Sequence, residues 1–252
     1  MTDTTGAQQT GGALEGQTVV VIGGSQGIGL ETARMARAAG AGVILAARNP
    51  ERLAQAAADV GALSTAAFDA TDEDRLVEFL GGLPAPVDHI MVTAGGSYYS
   101  TLPDLELQQV RRAFQEHVAV TFTVAKASIG LVRPGGSLTF MTGTAARHPA
   151  PGLSVAGFFA VGLQQTIADV ALELAPIRAN LIAAGFVDTP LSARLLGDGL
   201  DARRQQLAET LPIRRVVTAE DVAALAIHLM TNSALTGATY DVDGGQQLLV
   251  ER

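Results

Sequence analysis

The 252-residue sequence predicts an α/β fold, a single doubly wound parallel sheet of about seven strands with helices on both faces. Three observations carry that prediction. Short β-branched runs bounded by Gly or Asp alternate with longer amphipathic stretches, the order that builds βαβ units. The first run leads directly into a glycine-rich turn and a helical pattern. No linker or solenoid-type repeat divides the chain, so one domain over 15–252 is expected behind a flexible N-terminal tail of residues 1–14, which is rich in Thr, Gln and Gly.

Thr18–Ile22 reads as the first strand, since its continuous β-branched content suits burial on both faces. After the turn, Leu30–Ala39 reads as a helix and Gly42–Ala46 as the second strand. Asn49, Pro50 and Glu51 open the next helix, with Asn as cap and Pro in the first turn. Ser64–Phe68, His89–Val92, Ser137–Met141, Arg178–Ile182 and Thr239–Val242 complete the strands. The apolar stretch Leu153–Ala175 reads as a long helix stopped by Pro176, and Thr218 with Asp221 forms a capping box ahead of the last helix.

Composition excludes several functions. With no cysteine there is no thiolate nucleophile, disulfide or Cys-based zinc site, and no metal site is expected. A net charge of −8 argues against nucleic-acid and anionic-membrane partners, because phosphate backbones need clustered cations. No run reaches the roughly 18 consecutive apolar residues of a membrane span, and the start lacks the pattern of a signal peptide. A soluble, cytoplasmic chain acting on a small molecule is expected. Sixteen of the seventeen cations are Arg, the only lysine is Lys126, and the only tyrosines are Tyr98, Tyr99 and Tyr240.

The turn Gly23, Gly24, Ser25, Gln26, Gly27, Ile28, Gly29 stands between strand and helix, where glycines let a backbone approach a pyrophosphate and helix amides face its charge. Arg48 follows the second strand with no acid beside it. At that strand end an arginine accommodates an adenosine 2′-phosphate, which points to NADP(H); a solvated surface arginine is the competing reading.

Over residues 14–248 the chain resembles the short-chain dehydrogenase/reductase family, which implies a Rossmann-type dinucleotide-binding domain. Gly23, Gly27, Ile28 and Gly29 match its glycine motif, with Ile22 where Thr is usual. Asp69, followed by Ala70, matches the aspartate that meets the adenine amino group, and Ala94 and Gly95 keep part of the Asn-Asn-Ala-Gly motif. Gly185, Val187 and Thr189 match the segment that faces the nicotinamide carboxamide, and the stretch at 189–211 resembles a short substrate lid. By the same resemblance a homodimer or homotetramer is expected, formed by the helices after His117 and after Ala156.

The family moves a hydride while a tyrosine transfers the proton, a nearby lysine tunes it and a serine binds the substrate oxygen. General acid catalysis contributes about 10²–10⁴-fold and an oxyanion donor roughly 3–4 kcal/mol. Counting between Gly135 and Pro176 puts Gly143 at the serine position, Ala156 at the tyrosine position and Ala160 at the lysine position. His117 falls where the family has an asparagine. No tyrosine exists between Tyr99 and Tyr240, so slipping the alignment restores nothing.

His117 is a candidate acid, base or relay because imidazole titrates near neutrality, although a histidine in a helix is often only packed. Thr142 and Thr144 are hydroxyl candidates that strand alternation would turn away from the side of residue 143. His148 lies on a loop near the expected substrate entrance. Tyr98 and Tyr99 suit a pocket wall, Phe158 and Phe159 make the wall greasy, and His89 and His228 read as structural. Two classes stay open: an atypical reductase or dehydrogenase acting on a hydrophobic molecule, or an NADP(H)-binding protein without redox chemistry. Positioning alone is worth roughly 7–11 kcal/mol, which keeps the first class viable.

Overall fold

In the computed structural model, which describes residues 12–96 and 98–249, strands and helices alternate along most of the chain. In order they are β1 (Thr18–Ile22), α1 (Gly27–Ala38), β2 (Gly42–Ala47), α2 (Pro50–Val60), β3 (Ser64–Ala67), α3 (Glu73–Gly81) and β4 (Val87–Val92). Then α4 (Leu107–Phe114) passes through a π-helical turn, Gln115–Ala119, into α5 (Val120–Ala127). There follow β5 (Val132–Gly143), α6 (Ser154–Glu173), β6 (Arg178–Ala184), β7 (Val187–Asp188), α7 (Pro190–Leu196) and α8 (Leu200–Thr210). The chain closes with β8 (Val217–Thr218), α9 (Ala219–Thr231) and β9 (Thr239–Val242).

Seven strands form one parallel sheet in the order β3-β2-β1-β4-β5-β6-β9. Beside it, β7 and β8 make a small parallel pair that the sequence pattern did not predict, being only two residues each. The order reverses between β1 and β4, and in open α/β sheets ligands bind at the carboxyl ends of the strands flanking such a reversal.

Alternation along the strands explains the two-sided core. In β1, Val20 and Ile22 join Leu76 and Leu80 of α3, Val124 of α5 and Leu163 of α6 on one face. Val19 and Val21 join Ala33 of α1, Leu53 of α2 and Leu229 of α9 on the other. Each of the Val, Leu and Ile side chains contributes about 1.5–3 kcal/mol when fully buried, which is why β1 reads as an unbroken apolar run.

Asn49 caps α2 by accepting the Arg52 amide at 2.7 Å, and Thr218 with Asp221 forms the capping box of α9, both as the sequence predicts. Several boundaries shift by a few residues, and three of the differences have a physical reason that bears on the core or the site. The expected tail does not extend through residue 14: Leu14 is fully buried in the α1 face and its amide donates to the Ala39 carbonyl at 2.9 Å, while residues 1–11 lie outside the described residues. α1 begins at Gly27 rather than Leu30, because the glycine turn itself supplies its first turn. β5 runs on to Gly143, held by pairing with Ala184 of β6. By length and composition α6 is apolar enough to cross a membrane, although no consecutive apolar run is; in the fold Leu163, Ile167 and Val170 bury one side of it against the sheet.

Candidate functional site

The glycine turn is locked by close packing. A Cβ on Gly23 would lie 2.7 Å from the Ala94 amide nitrogen, and one on Gly29 would lie 2.6 Å from Thr93 Oγ1, so neither position admits a larger residue. Gly27 has φ +56, in the left-handed region that favours glycine. Thr93 completes the arrangement by donating its hydroxyl toward the carbonyls of Ile22 at 3.3 Å and Gly23 at 3.2 Å. Sequence reasoning missed this residue, whose only signal is its place next to Ala94. Gln26 caps α1 with no side-chain hydrogen bond, which leaves the first-turn amides open to an anion. Ser25 and Ile28 flank the opening, with Ile28 packed on the core. The turn therefore fits a pyrophosphate.

At the outer end of the same crevice, Arg48 and Arg112 approach one carboxylate oxygen of Asp69, at 3.8 Å and 3.7 Å. Asp69 also accepts the Thr71 amide at 3.0 Å and hydroxyl at 2.9 Å. Burial pushes its carboxyl up most strongly, but the Thr71 hydrogen bonds and the two guanidinium charges together hold it below the usual carboxylate range. Ala70 is buried beside it. A carboxylate and two exposed guanidinium groups at one strand end can take an adenine amino group and a phosphate. Arg112 was not singled out in the sequence; it arrives from α4, 43 positions away from Asp69 by number.

On the inner side, the side chain of Thr189 lies against Gly27, 3.6 Å from where a Cβ would stand. Thr189 starts α7 through a capping box with Ser192, its amide donating to Ser192 Oγ at 2.9 Å. Gly185 is pressed against Asp243, whose Cβ would be 2.6 Å from an added Cβ. Asp243 is buried and accepts the amides of Gly245 at 2.8 Å and Gln247 at 2.9 Å, so the turn after β9 braces this segment. Gln246 Oε1 takes the Phe186 amide at 2.9 Å, and Val187 is buried behind. Arg204 of α8 forks onto Asp188 at 2.9 Å and 2.8 Å, which ties the helices of the 189–211 stretch to β7.

Between β5, α6 and the loop after β4 lies a narrow cavity of about 20 Å³, room for a single water. It is lined by Tyr98, Tyr99, His117, Thr142, Gly143, Ala156 and Phe159 among others. Residues far apart in sequence thus meet at one point. The end of β5 bends into a short 3₁₀ turn, Thr144–Ala146, so Thr142 and Gly143 both border the cavity, contrary to strict alternation, while Thr144 does not. Ala160 is buried one turn beyond Ala156.

His117 stands in the π-helical turn, with Nε2 3.2 Å from the Gly96 carbonyl oxygen and its ring stacked on Phe159 at 5.4 Å. Burial pushes its imidazole below the usual value, partly offset by the Gly96 hydrogen bond and the Glu116 charge. The Tyr98 hydroxyl accepts the Glu106 amide at 2.9 Å and so anchors the loop as well as bordering the cavity.

The other histidines lie elsewhere. His148, expected near the entrance, instead bonds the Gln247 carbonyl and does not line the cavity. His89 is buried between Gln17 and Ser137, and His228 contacts Asn232 at 3.3 Å, so both have structural places. Among the described residues no group of three or more His, Asp or Glu is arranged to hold a metal.

Comparison with known proteins agrees with this geometry. A family model described as enoyl-(acyl carrier protein) reductase matches residues 22–247. The short-chain dehydrogenase/reductase malC of Malbranchea aurantiaca is 26% identical over 93% of this chain and 96% of its own. The dehydrogenase/reductase SDR family member 4 of Sus scrofa is 30% identical over 92% of this chain and 88% of its own. Among solved structures, the MalC reductase/Diels-Alderase superposes with a TM-score of 0.87 at 25% identity, covering 94% of this chain and 98% of that one. A small-chain dehydrogenase in complex with NADPH superposes with a TM-score of 0.79 at 28% identity, covering 92% and 99%.

Proposed function

The chain belongs to the short-chain dehydrogenase/reductase family of oxidoreductases, and from that premise we propose that it binds NADP(H) and acts on the CH–OH or C=O group of a hydrophobic small molecule through a non-standard site. The observation that carries this reading is the cavity where His117, Thr142, Gly143 and Ala156 converge, with Gly143 paired to Ala184 at the end of the strand that leads to Thr189. Bound NADP(H) supplies or takes the hydride.

The glycine turn and the α1 amides hold the pyrophosphate, Asp69 takes the adenine amino group, and Arg48 takes the 2′-phosphate. Val187 and Thr189 orient the nicotinamide. Gly143, Ala156 and Ala160 occupy the family's proton-transfer positions, so proton chemistry falls to His117, with the Thr142 hydroxyl able to hold a substrate oxygen. Tyr99 and Phe159 make the walls aromatic, which favours an apolar substrate. Two copies assemble through exposed Phe122 on α5, Ile129 in the turn after it, and Phe158 and Val161 on α6, forming a homodimer or a homotetramer.

A second reading, an NADP(H)-binding protein without redox chemistry, is favoured by the small volume of the cavity and by the alanine and glycine on its wall. A binding titration run beside NADPH-consumption and NADP⁺-reduction assays on panels of ketones, quinones and alcohols separates the two. Turnover of any of them supports the first reading; tight binding with no turnover leaves only the second. Arg48→Asp is expected to weaken NADPH at least about tenfold and NADH less than twofold, since a phosphate contact is charge-assisted. Equal losses would show that Arg48 does not read the phosphate.

A further inference from the structure

The hydrogen bond between His117 and Gly96 decides what the imidazole can do. A carbonyl oxygen only accepts, so Nε2, at 3.2 Å, carries the hydrogen and donates it. In the neutral ring Nδ1 is then a lone pair. Among the described residues Nδ1 has no hydrogen-bond partner, and it is not among the sealed, unpartnered side-chain atoms.

The carbonyl of Gly96 is itself held in place. The Gly96 amide donates to Glu116 Oε2 at 3.1 Å, and Glu116 Oε1 accepts from Arg112 Nε at 2.9 Å. Only 13% of the Glu116 side chain is exposed, and Arg112 continues to Asp69. The π-helical turn allows this, because it carries adjacent residues Glu116 and His117 to the two hydrogen-bonding groups of a single glycine. Among the described residues, the groups around the ring are Tyr98 and Tyr99 from the loop after β4, Thr142 of β5, Phe159 of α6 and Glu116 on its own turn. Glu116 is the only charge in that set, and burial outweighs it, so the ring is neutral at neutral pH.

We propose that His117 is a proton acceptor through Nδ1, with Glu116 as the positioning residue that fixes its tautomer, and that the cavity, with room for one small group, takes the hydroxyl end of an alcohol, oxidised at neutral pH. The inference rests on the redox reading above and adds the direction of the reaction, the atom that takes the proton and the residue that positions it. The alcohol O–H bond breaks and its proton passes to Nδ1; the C–H bond breaks and its hydrogen leaves with the electron pair to NADP⁺. The carbon–oxygen double bond forms, the alcohol is oxidised and NADP⁺ is reduced.

Nitrogen-15 NMR of the histidine ring in the protein without cofactor tests the tautomer independently of activity. The expected result is a protonated Nε2 and an unprotonated Nδ1 at neutral pH. Glu116→Ala is expected to mix the tautomers and lower kcat about tenfold with KM within twofold, because a catalytic group displaced by a fraction of an ångström loses its alignment. Glu116→Gln keeps an oxygen for the Gly96 amide, so it is expected to retain the tautomer and most of kcat while shifting the pH midpoint downward, the carboxylate charge being gone. NADP⁺ reduction with a series of secondary alcohols, from the smallest upward, is expected to rise with pH through the His117 titration. His117→Ala is expected to lower it about 10²-fold or more with NADP⁺ affinity unchanged. A hydrogen found on Nδ1, or full activity in His117→Ala, overturns this inference alone. NADP⁺ bound but no alcohol or ketone turned over overturns the redox reading with it.

Discussion

Arg178→Ala is expected to destabilise the fold by about 3–5 kcal/mol, a large share of the roughly 5–15 kcal/mol that holds a domain of this kind. Arg178 is only 6% exposed at the start of β6. One terminal nitrogen donates to the carbonyls of Leu229 at 2.7 Å and Leu235 at 3.0 Å, the other to Met230 at 2.8 Å. Leu229 and Met230 belong to the last turn of α9, whose carbonyls have no partners within the helix and form the negative end of its dipole. One guanidinium thus caps α9 and pins it to the sheet. Removing it strands several buried acceptors, each costing about 1–3 kcal/mol. Arg178→Lys should recover only part of the loss, because an ammonium cannot fork between the two ends of this clasp. Urea denaturation at constant slope reads both values; a loss below about 1 kcal/mol for the alanine variant would mean that water replaces the clasp.

Acid should weaken the same end of the sheet through His89. Burial is the main cause that lowers its imidazole to about 4, opposed by Asp88 and aided by Arg178 and Arg133. Its Nε2 lies 2.8 Å from Gln17 Oε1 and its Nδ1 lies 2.7 Å from Ser137 Oγ. Gln17 Oε1 also accepts from Arg133 at 3.4 Å, so Nε2 donates to Gln17 and Nδ1 takes the Ser137 hydroxyl. A proton on Nδ1 would break that second bond. The unfolded ring titrates near 6.5, so between about pH 6.5 and 4 the unfolded chain holds a proton that the folded chain refuses. The contribution of His89 to stability is complete above that window and is lost as pH falls through it, by about 3 kcal/mol in all. His89→Gln is expected to show a flatter stability profile between pH 6.5 and 4 than the native chain, and parallel profiles would count against this account. The clasp and the histidine lie near the amino ends of the strands, away from the cofactor crevice, so neither change should alter cofactor affinity in the folded protein.

Much of the site is legible in the residues because its parts are local. The glycine turn needs only a strand, a tight bend and a helix start in succession, and all three are written within residues 18–38. Arg48 and Asp69 each stand at or just beyond the end of a strand whose pattern is plain. Glu116 and Arg112 are different. Their spacing suits an exposed helical ion pair, and nothing local says that the Gly96 amide will complete it. Leu14 looks like tail because one apolar residue carries no period, and its burial depends on the end of α1 arriving above it. His148 looks accessible on its loop until the turn after β9 takes it.

Counting alone settles one chemical fact: with a single lysine and no tyrosine from residue 100 to residue 239, a Tyr and Lys pair cannot stand together in that stretch. Hydrophobic period and turn chemistry likewise settle the order of strands and helices, since each follows from neighbours a few residues apart. Which imidazole nitrogen is free, and which side chains share a cavity with it, depends on the crossing of β4, β5, α4 and α6. Residues 96, 117, 142 and 156 come together there only because the parallel sheet aligns the carboxyl ends of its strands and the π-helical turn rotates one helix face toward them.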